Sequence, residues 1–113
     1  MNKFLEVLES RLADTAGVYV NAGVDAIAYL DELANDIRRN ECQPFEVSAN
    51  VMAPGLPGFD EGERIAGLCL AKSDGRWLIY RPDDDQFYAF WGPEQGCLGA
   101  HGVFGSPLYC WSA

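Results

Sequence analysis

Hydrophobic residues recur at helical spacing near the start of the chain. Phe4, Leu5, Leu8 and Leu12 fall on one side of a helix, and charged residues occupy the other side. This pattern predicts a first helix over residues 3–14.

A second helix is predicted over residues 23–39, with Asn21 as its N-terminal cap and Asn40 as its exit. Arg39 at its end complements the helix dipole. We expect its apolar stripe to pack against a sheet, the alternative being a membrane- or partner-binding face. The stripe consists of Val24, Ile27, Leu30, Ala34 and Ile37.

After Asn40 the pattern changes from helical spacing to alternation. Phe45, Val47 and Ala49 alternate with polar residues, which predicts a half-buried strand over residues 44–51. The next segment, residues 53–63, is rich in proline and glycine and is predicted to be a loop. Long loops in compact domains are often functional.

The remaining sequence is typical of antiparallel strands joined by turns. We therefore expect one α+β domain over residues 1–113, with two N-terminal helices packed on one face of a four- to five-stranded antiparallel meander sheet. The further strands are predicted at residues 64–72, 76–81 and 86–91, with turns at Asp74-Gly75 and 82–85, and less regular strands at 98–104 and 108–111.

The charge of the chain narrows its possible partners. Seventeen acidic and eight basic residues give a formal net charge of −9 and an isoelectric point near 4.3. Such a surface repels phosphate backbones and anionic lipids, so direct binding to nucleic acid or to a membrane is not expected. It attracts basic proteins, and like charge favours a monomer or a weak homodimer. The alternative is that acidity serves only solubility.

The expected location is the cytoplasm. Residues 1–6 reach an acidic residue at once and lack the apolar core of a signal peptide. No apolar stretch approaches the roughly 20 residues of a membrane-spanning helix. The four cysteines are scattered without a paired spacing, which favours free thiols in a reducing compartment.

No group of residues in the sequence specifies an enzyme. His101 is the only histidine, and Cys97 and Cys110 offer neither the activated nucleophile of covalent catalysis nor the ligand spacing of a zinc site. We therefore expect no catalytic residue, no metal and no cofactor. The alternative is a small enzyme or ligand-binding domain with a pocket near the 53–63 loop and His101.

Acidic residues are concentrated in two segments, one of which carries several aromatic residues. Alternation places Tyr88 and Phe90 on one face of their strand, where exposed rings would anchor a partner while carboxylates guide it. The alternatives are that the C-terminal segment covers this face and that the acids are simply solvated. The candidate partner-binding residues are Asp60, Glu61, Glu63, Asp83, Asp84, Asp85, Tyr88, Phe90 and Glu94.

These patterns favour a small inhibitor that occludes a basic, nucleic-acid-handling protein, such as a nuclease toxin. Toxin-neutralising immunity proteins and anti-defence inhibitors would have this size and sign of charge. Helices followed by a meander of strands occur in several bacterial immunity-protein families, which is a similarity of architecture only. A structural subunit of an oligomer, packed through the apolar C-terminal segment, is the other alternative.

Overall fold

The computed structural model describes residues 2–113 as three helices and five strands. They follow the chain in the order α1 Lys3–Arg11, α2 Ala26–Arg39, β1 Glu41–Val51, β2 Arg64–Ser73, β3 Arg76–Arg81, β4 Gln86–Trp91, β5 Gly99–Gly105 and α3 Pro107–Ser112. The α+β class is therefore confirmed.

Side-chain caps fix where the N-terminal helices begin. The Asn2 side chain accepts a hydrogen bond from the Phe4 amide at 2.8 Å, and Asp25 accepts one from the Ala28 amide at 3.1 Å. Asp25, and not Asn21, is therefore the cap of α2, which ends at Asn40 as predicted. Within residues 2–113, none of the helices combines the length and the apolar character needed to cross a lipid bilayer.

The five strands form a closed barrel rather than a meander sheet with one helix-covered face. Each strand pairs antiparallel with the next, and β5 then pairs with β1 in parallel through Asn50 with Gly99 and Val51 with Ala100. The closing pair must be parallel because an odd number of alternating strands leaves the first and the last running in the same direction. The central strands β3 and β4 have the predicted bounds.

The predicted strand over residues 108–111 is wrong, because this segment is the helix α3. Ser106 caps it by accepting a hydrogen bond from the Tyr109 amide at 3.2 Å, and Pro107 occupies its first turn. A capping serine followed by proline is a local signal for the start of a helix. The glycines before it obscured that signal.

Barrel closure produces two separate hydrophobic clusters. The inner cluster fills the barrel and includes Ile65, Ile79, Tyr88, Phe90 and Leu98. The outer cluster lies between the barrel wall and all three helices, and it includes Leu8, Ile37, Leu70, Phe87 and Trp111. Helices therefore cover part of the outer wall from both ends of the chain.

Candidate functional site

The carboxylate of Asp85, in the turn between β3 and β4, is hydrogen-bonded to two other side chains of the protein. It accepts hydrogen bonds from the Arg11 guanidinium at 2.8 Å and from the Tyr80 hydroxyl at 2.6 Å. The bonds from Tyr80 and Arg11 hold the pKa of Asp85 below its ordinary value. This carboxylate connects the β3–β4 turn to α1.

Asp84 is bound in the same way, whereas Asp83 is largely free. Asp84 accepts hydrogen bonds from the Tyr88 hydroxyl and, at 2.9 Å, from Arg81. The Asp83 side chain is 84% exposed and reaches the Arg81 guanidinium only at 3.8 Å. Of the three acids that the sequence nominated in this turn, Asp83 is the most accessible to a partner.

The bond between Tyr88 and Asp84 predicts a specific dependence of stability on pH. Burial, together with this hydrogen bond, raises the pKa of Tyr88 to about 12, whereas a tyrosine in an unfolded chain has a pKa of about 10. Between these values the unfolded state has lost the phenolic proton and the folded state has kept it. The stabilisation is thus complete below pH ~10 and is lost as the pH rises toward 12.

Urea unfolding of the wild type and Tyr88→Phe across this pH range measures the effect. The difference in unfolding free energy between them should shrink as the pH rises, because phenylalanine has no proton to lose. Tyr80, whose pKa is also raised, is present in both proteins and cancels. Parallel pH profiles would contradict the assignment.

Tyr88 and Phe90, the two aromatic residues predicted to bind a partner, lie inside the barrel. Tyr88 is 5% exposed and Phe90 is fully buried, so neither ring is at the surface. The expectation of an exposed aromatic face on this strand is therefore wrong. Neither of its faces is open: one faces the barrel interior, and on the other Phe87 belongs to the cluster beneath the helices.

The acidic residues of the 53–63 loop lie on the same side of the barrel as the β3–β4 turn. The Arg81 guanidinium is 5.1 Å from the centroid of the Phe59 ring, which brings the two segments together. Asp60, Glu61 and Glu63 follow Phe59 and are exposed. The Glu63 carboxylate accepts a hydrogen bond from the Asp60 amide at 2.5 Å, which orders this turn of the loop.

Glu46 is an acidic residue near this surface that the sequence did not nominate. It is exposed on β1, and its backbone oxygen accepts a hydrogen bond at 3.4 Å from Gln95, the neighbour of Glu94. Glu46 and Asp83 line one shallow depression of about 280 Å³. The pairing of β1 with β2 and of β2 with β3 places Glu46 and Asp83 around the same depression, so sequence order gave no sign of it.

Acidic side chains therefore line two depressions that the β3–β4 turn connects. Asp14 and Asp85 line a second depression of about 330 Å³, and the consecutive residues Asp83 to Asp85 link it to the one that Glu46 and Asp83 share. Arg11 and Arg81 neutralise two of the charges. We call this surface the acidic band, and it consists of Asp14, Glu46, Asp83, Asp84 and Asp85.

A groove with a volume of about 360 Å³ separates α1 from α2, and we call it the α1–α2 groove. The ion pair of Glu9 with Arg38, at 2.7 Å, and the side chain of Asp31 contribute its charged lining. Most of its lining is apolar and consists of Leu12, Ala13, Ile27, Leu30, Ala34 and Leu108.

Large apolar side chains are exposed at this groove and in the segment before α2. Tyr19 is 78% exposed, Val24 47% and Ile27 76%. The prediction that the stripe from Val24 to Ile37 packs against a sheet is therefore wrong for its first two members, of which Val24 also lies before α2. Ala34 and Ile37, in the second half of α2, are its buried members. The sequence contained a signal for the acidic surroundings of this surface but none for its exposure, because the residues from Leu12 to Ile37 include five acids and no base.

The histidine and cysteines considered for chemistry do not form a common site. His101 is exposed with its ring edge-on to Trp91, at 5.8 Å between centroids. Cys110 lies in α3 and is buried in the outer cluster, whereas Cys97 is exposed and contacts Glu94. In the part of the chain from residue 2 onward, no three histidine, cysteine, aspartate or glutamate side chains are arranged to hold a metal ion.

The acidic band and the α1–α2 groove are thus the two surface features with the clearest chemistry. One offers negative charge, and the other offers apolar contact with acidic residues nearby. Comparison of the chain with protein-family models, with curated proteins and with solved structures found no match.

Proposed function

We propose that this chain is a small protein-binding domain that binds a basic protein and covers the cationic surface with which that protein holds nucleic acid. The observation that carries the proposal is the acidic band, in which five carboxylates are accompanied by Arg11 and Arg81, with Arg64 near Glu46. The acidic loop that follows Phe59 adds three more carboxylates on the same side of the barrel.

Electrostatics gives such a surface a clear preference among partners. An excess of carboxylates attracts lysine and arginine and speeds the encounter with a basic protein, while it repels phosphate. Asp83 and Glu46 are exposed and can contact a partner directly. Asp84 and Asp85 are bound to tyrosines and arginines of the chain itself, so their role is to hold the turn in place.

The inhibitory mechanism in this proposal is steric and electrostatic occlusion. Lysines and arginines that hold phosphates cannot contact the acidic band and nucleic acid at the same time. Binding of nucleic acid by the partner should therefore decrease as this domain is added. A toxin-neutralising or anti-defence role is the form of the proposal that agrees with the size and charge of the chain.

Affinity purification from a lysate of the source organism tests the proposal with two charge-matched variants. Glu46→Gln/Asp83→Asn removes two charges from the acidic band, and Glu6→Gln/Asp74→Asn removes two elsewhere. Asp74 is at the opposite end of β3 from Asp83, and asparagine tolerates its positive φ of 50°. All four residues are exposed, so all three proteins should fold.

We expect the wild type and the control to retain the same basic proteins and the band variant to retain about tenfold less. Retention should fall as salt rises from about 50 to 200 mM, because exposed charges are then screened. The purified partner should release labelled nucleic acid when the wild type is added. Equal retention by all three proteins, or equal loss from both variants, would contradict a role for the acidic band.

A further inference from the structure

The exposure of Tyr19, Val24 and Ile27 is unexpected for a domain with two well-filled hydrophobic clusters. Scattered apolar residues at a surface are ordinary, but these three belong to one nine-residue segment, and Ile27 lines the α1–α2 groove. Val24 and Tyr19 also line a small depression of about 70 Å³ with Tyr29. The apolar surface is therefore continuous from the linker into α2.

The α1–α2 groove has the shape to receive a helix. On α2, Ile27, Leu30 and Ala34 follow one another at intervals of three and four residues and form a stripe along the groove. One long wall is α2, whose backbone amides and carbonyls are largely bonded within the helix, and the other is Glu9 of α1 with the turn that follows this helix. An extended peptide would gain few main-chain hydrogen bonds there, whereas a helix gains contacts through its side chains alone.

The charges around the groove select a basic occupant. The charged residues that line the groove are Glu9, Asp31 and Arg38, and Arg38 is already paired with Glu9. Glu32 and Asp36 bind Arg39, but Asp14, Asp25 and Asp31 form no ion pair with any of residues 2–113. Asp31 lines the groove itself, and Asp14 lies between two residues that line it. Asp14 is also part of the acidic band, so the groove lies next to the acidic band.

We propose that the α1–α2 groove binds an amphipathic helix of the basic partner, with apolar side chains in the groove and lysines or arginines against Asp14 and Asp31. This inference rests on the proposed function and adds the element of the partner that is recognised. Apolar contact at Ile27 supplies the affinity, and the acidic rim sets the orientation of the helix and its rate of encounter.

A designed peptide can serve as the probe. It has about 18 residues, or five helical turns, with leucines on one face and lysines on the other, and it carries a fluorescent label. A scrambled peptide of the same composition, with leucines distributed around the helix, keeps the charge and loses the apolar face. Fluorescence anisotropy with the full-length protein gives both dissociation constants.

The variants are chosen among exposed side chains, so that folding is preserved. Ile27→Ser removes the apolar contact at the groove, and Met52→Ser removes an exposed apolar side chain on the barrel as its control. Asp31→Asn removes a charge at the groove, and Asp74→Asn removes one at a distant turn.

We expect Ile27→Ser to weaken binding of the amphipathic peptide by about tenfold or more, because the variant lacks an aliphatic side chain that the bound peptide would bury. Asp31→Asn should weaken it by roughly threefold, and both controls should remain within about twofold of the wild type.

The result that supports the inference is preference for the amphipathic peptide together with selective loss in Ile27→Ser. Equal binding of the two peptides, no effect of Ile27→Ser, or no binding of either peptide would overturn it. None of these failures decides the proposed function. That depends on whether Glu46→Gln/Asp83→Asn, outside the groove, loses the basic proteins that the wild type retains.

Discussion

Replacing Trp111 with alanine is expected to lower the free energy of unfolding by about 3–5 kcal/mol. Trp111 is the largest fully buried side chain and lies in α3, a helix of six residues. Its indole nitrogen donates a hydrogen bond to Asp36 at 2.8 Å, and the Arg76 guanidinium lies 4.5 Å from the ring centroid. Alanine would leave a cavity where α3 meets α2 and the barrel.

Trp111→Phe separates packing from the hydrogen bond. Phenylalanine keeps an aromatic ring in the cluster but cannot donate to Asp36, so we expect a smaller loss than for alanine, of about 1–2 kcal/mol. Urea unfolding midpoints with an unchanged m value provide the comparison. A loss below about 1 kcal/mol in the alanine variant would show that α3 does not unfold with the rest of the domain.

The wild type and Trp111→Phe are also expected to differ in how their stability depends on acid pH. The hydrogen bond from Trp111 is the main cause of the lowered pKa of Asp36. A carboxylate with a lowered pKa stabilises the folded state above its unfolded pKa of about 3.9, and this contribution is lost as the pH falls. The stability difference between the wild type and Trp111→Phe should therefore shrink below pH ~4.

Gly92→Ala is expected to lower the free energy of unfolding by about 2–3 kcal/mol, because the position has no room for a side chain. A Cβ atom there would lie 2.0 Å from the Cys97 carbonyl oxygen and 2.8 Å from Leu98 Cδ2. The backbone cannot easily move away. The Gly92 amide donates to Gly75 at 2.9 Å, and its carbonyl accepts from Trp77 Nε1 at 3.1 Å.

Gly96 provides the matched control within the same loop. A Cβ atom at Gly96 would have no heavy atom within 4 Å beyond its own chain neighbours, so Gly96→Ala should change stability by less than about 0.5 kcal/mol. Thermal and urea unfolding of the two variants measure the difference. Equal effects at the two positions would mean that the close approach of Gly92 to Cys97 is not maintained in solution.

Local sequence patterns predicted the bounds of helices and strands well where one or two residues determine the local backbone conformation. Asp74 and Gly75 both have positive φ angles, as expected for the tight turn of a β-hairpin, and the strands on either side follow the prediction closely. Asn40 ends α2 as predicted. These features depend on neighbours in sequence, which a one-dimensional pattern contains.

The candidate site was predicted only in part, since charged residues can be counted from sequence but the hydrogen bonds that their side chains form cannot. Asp83 is open to a partner, whereas Asp84 and Asp85 are bound to Tyr88 and Tyr80. No local pattern distinguishes these three consecutive aspartates. Which of them remains free depends on side chains that only the fold brings within hydrogen-bonding distance.

The α+β class, the acidic surface and the order of the central strands could be predicted from the amino-acid sequence, because they follow from composition and from hydrophobic spacing along the chain. The closure of the sheet, the position of Tyr88 and Phe90 inside it and the position of Ile27 outside the helix-covered cluster became clear only from the fold. Alternation and helical spacing show only which residues share a face. What covers that face depends on contacts between distant segments, such as the pairing of β5 with β1 and the docking of α3.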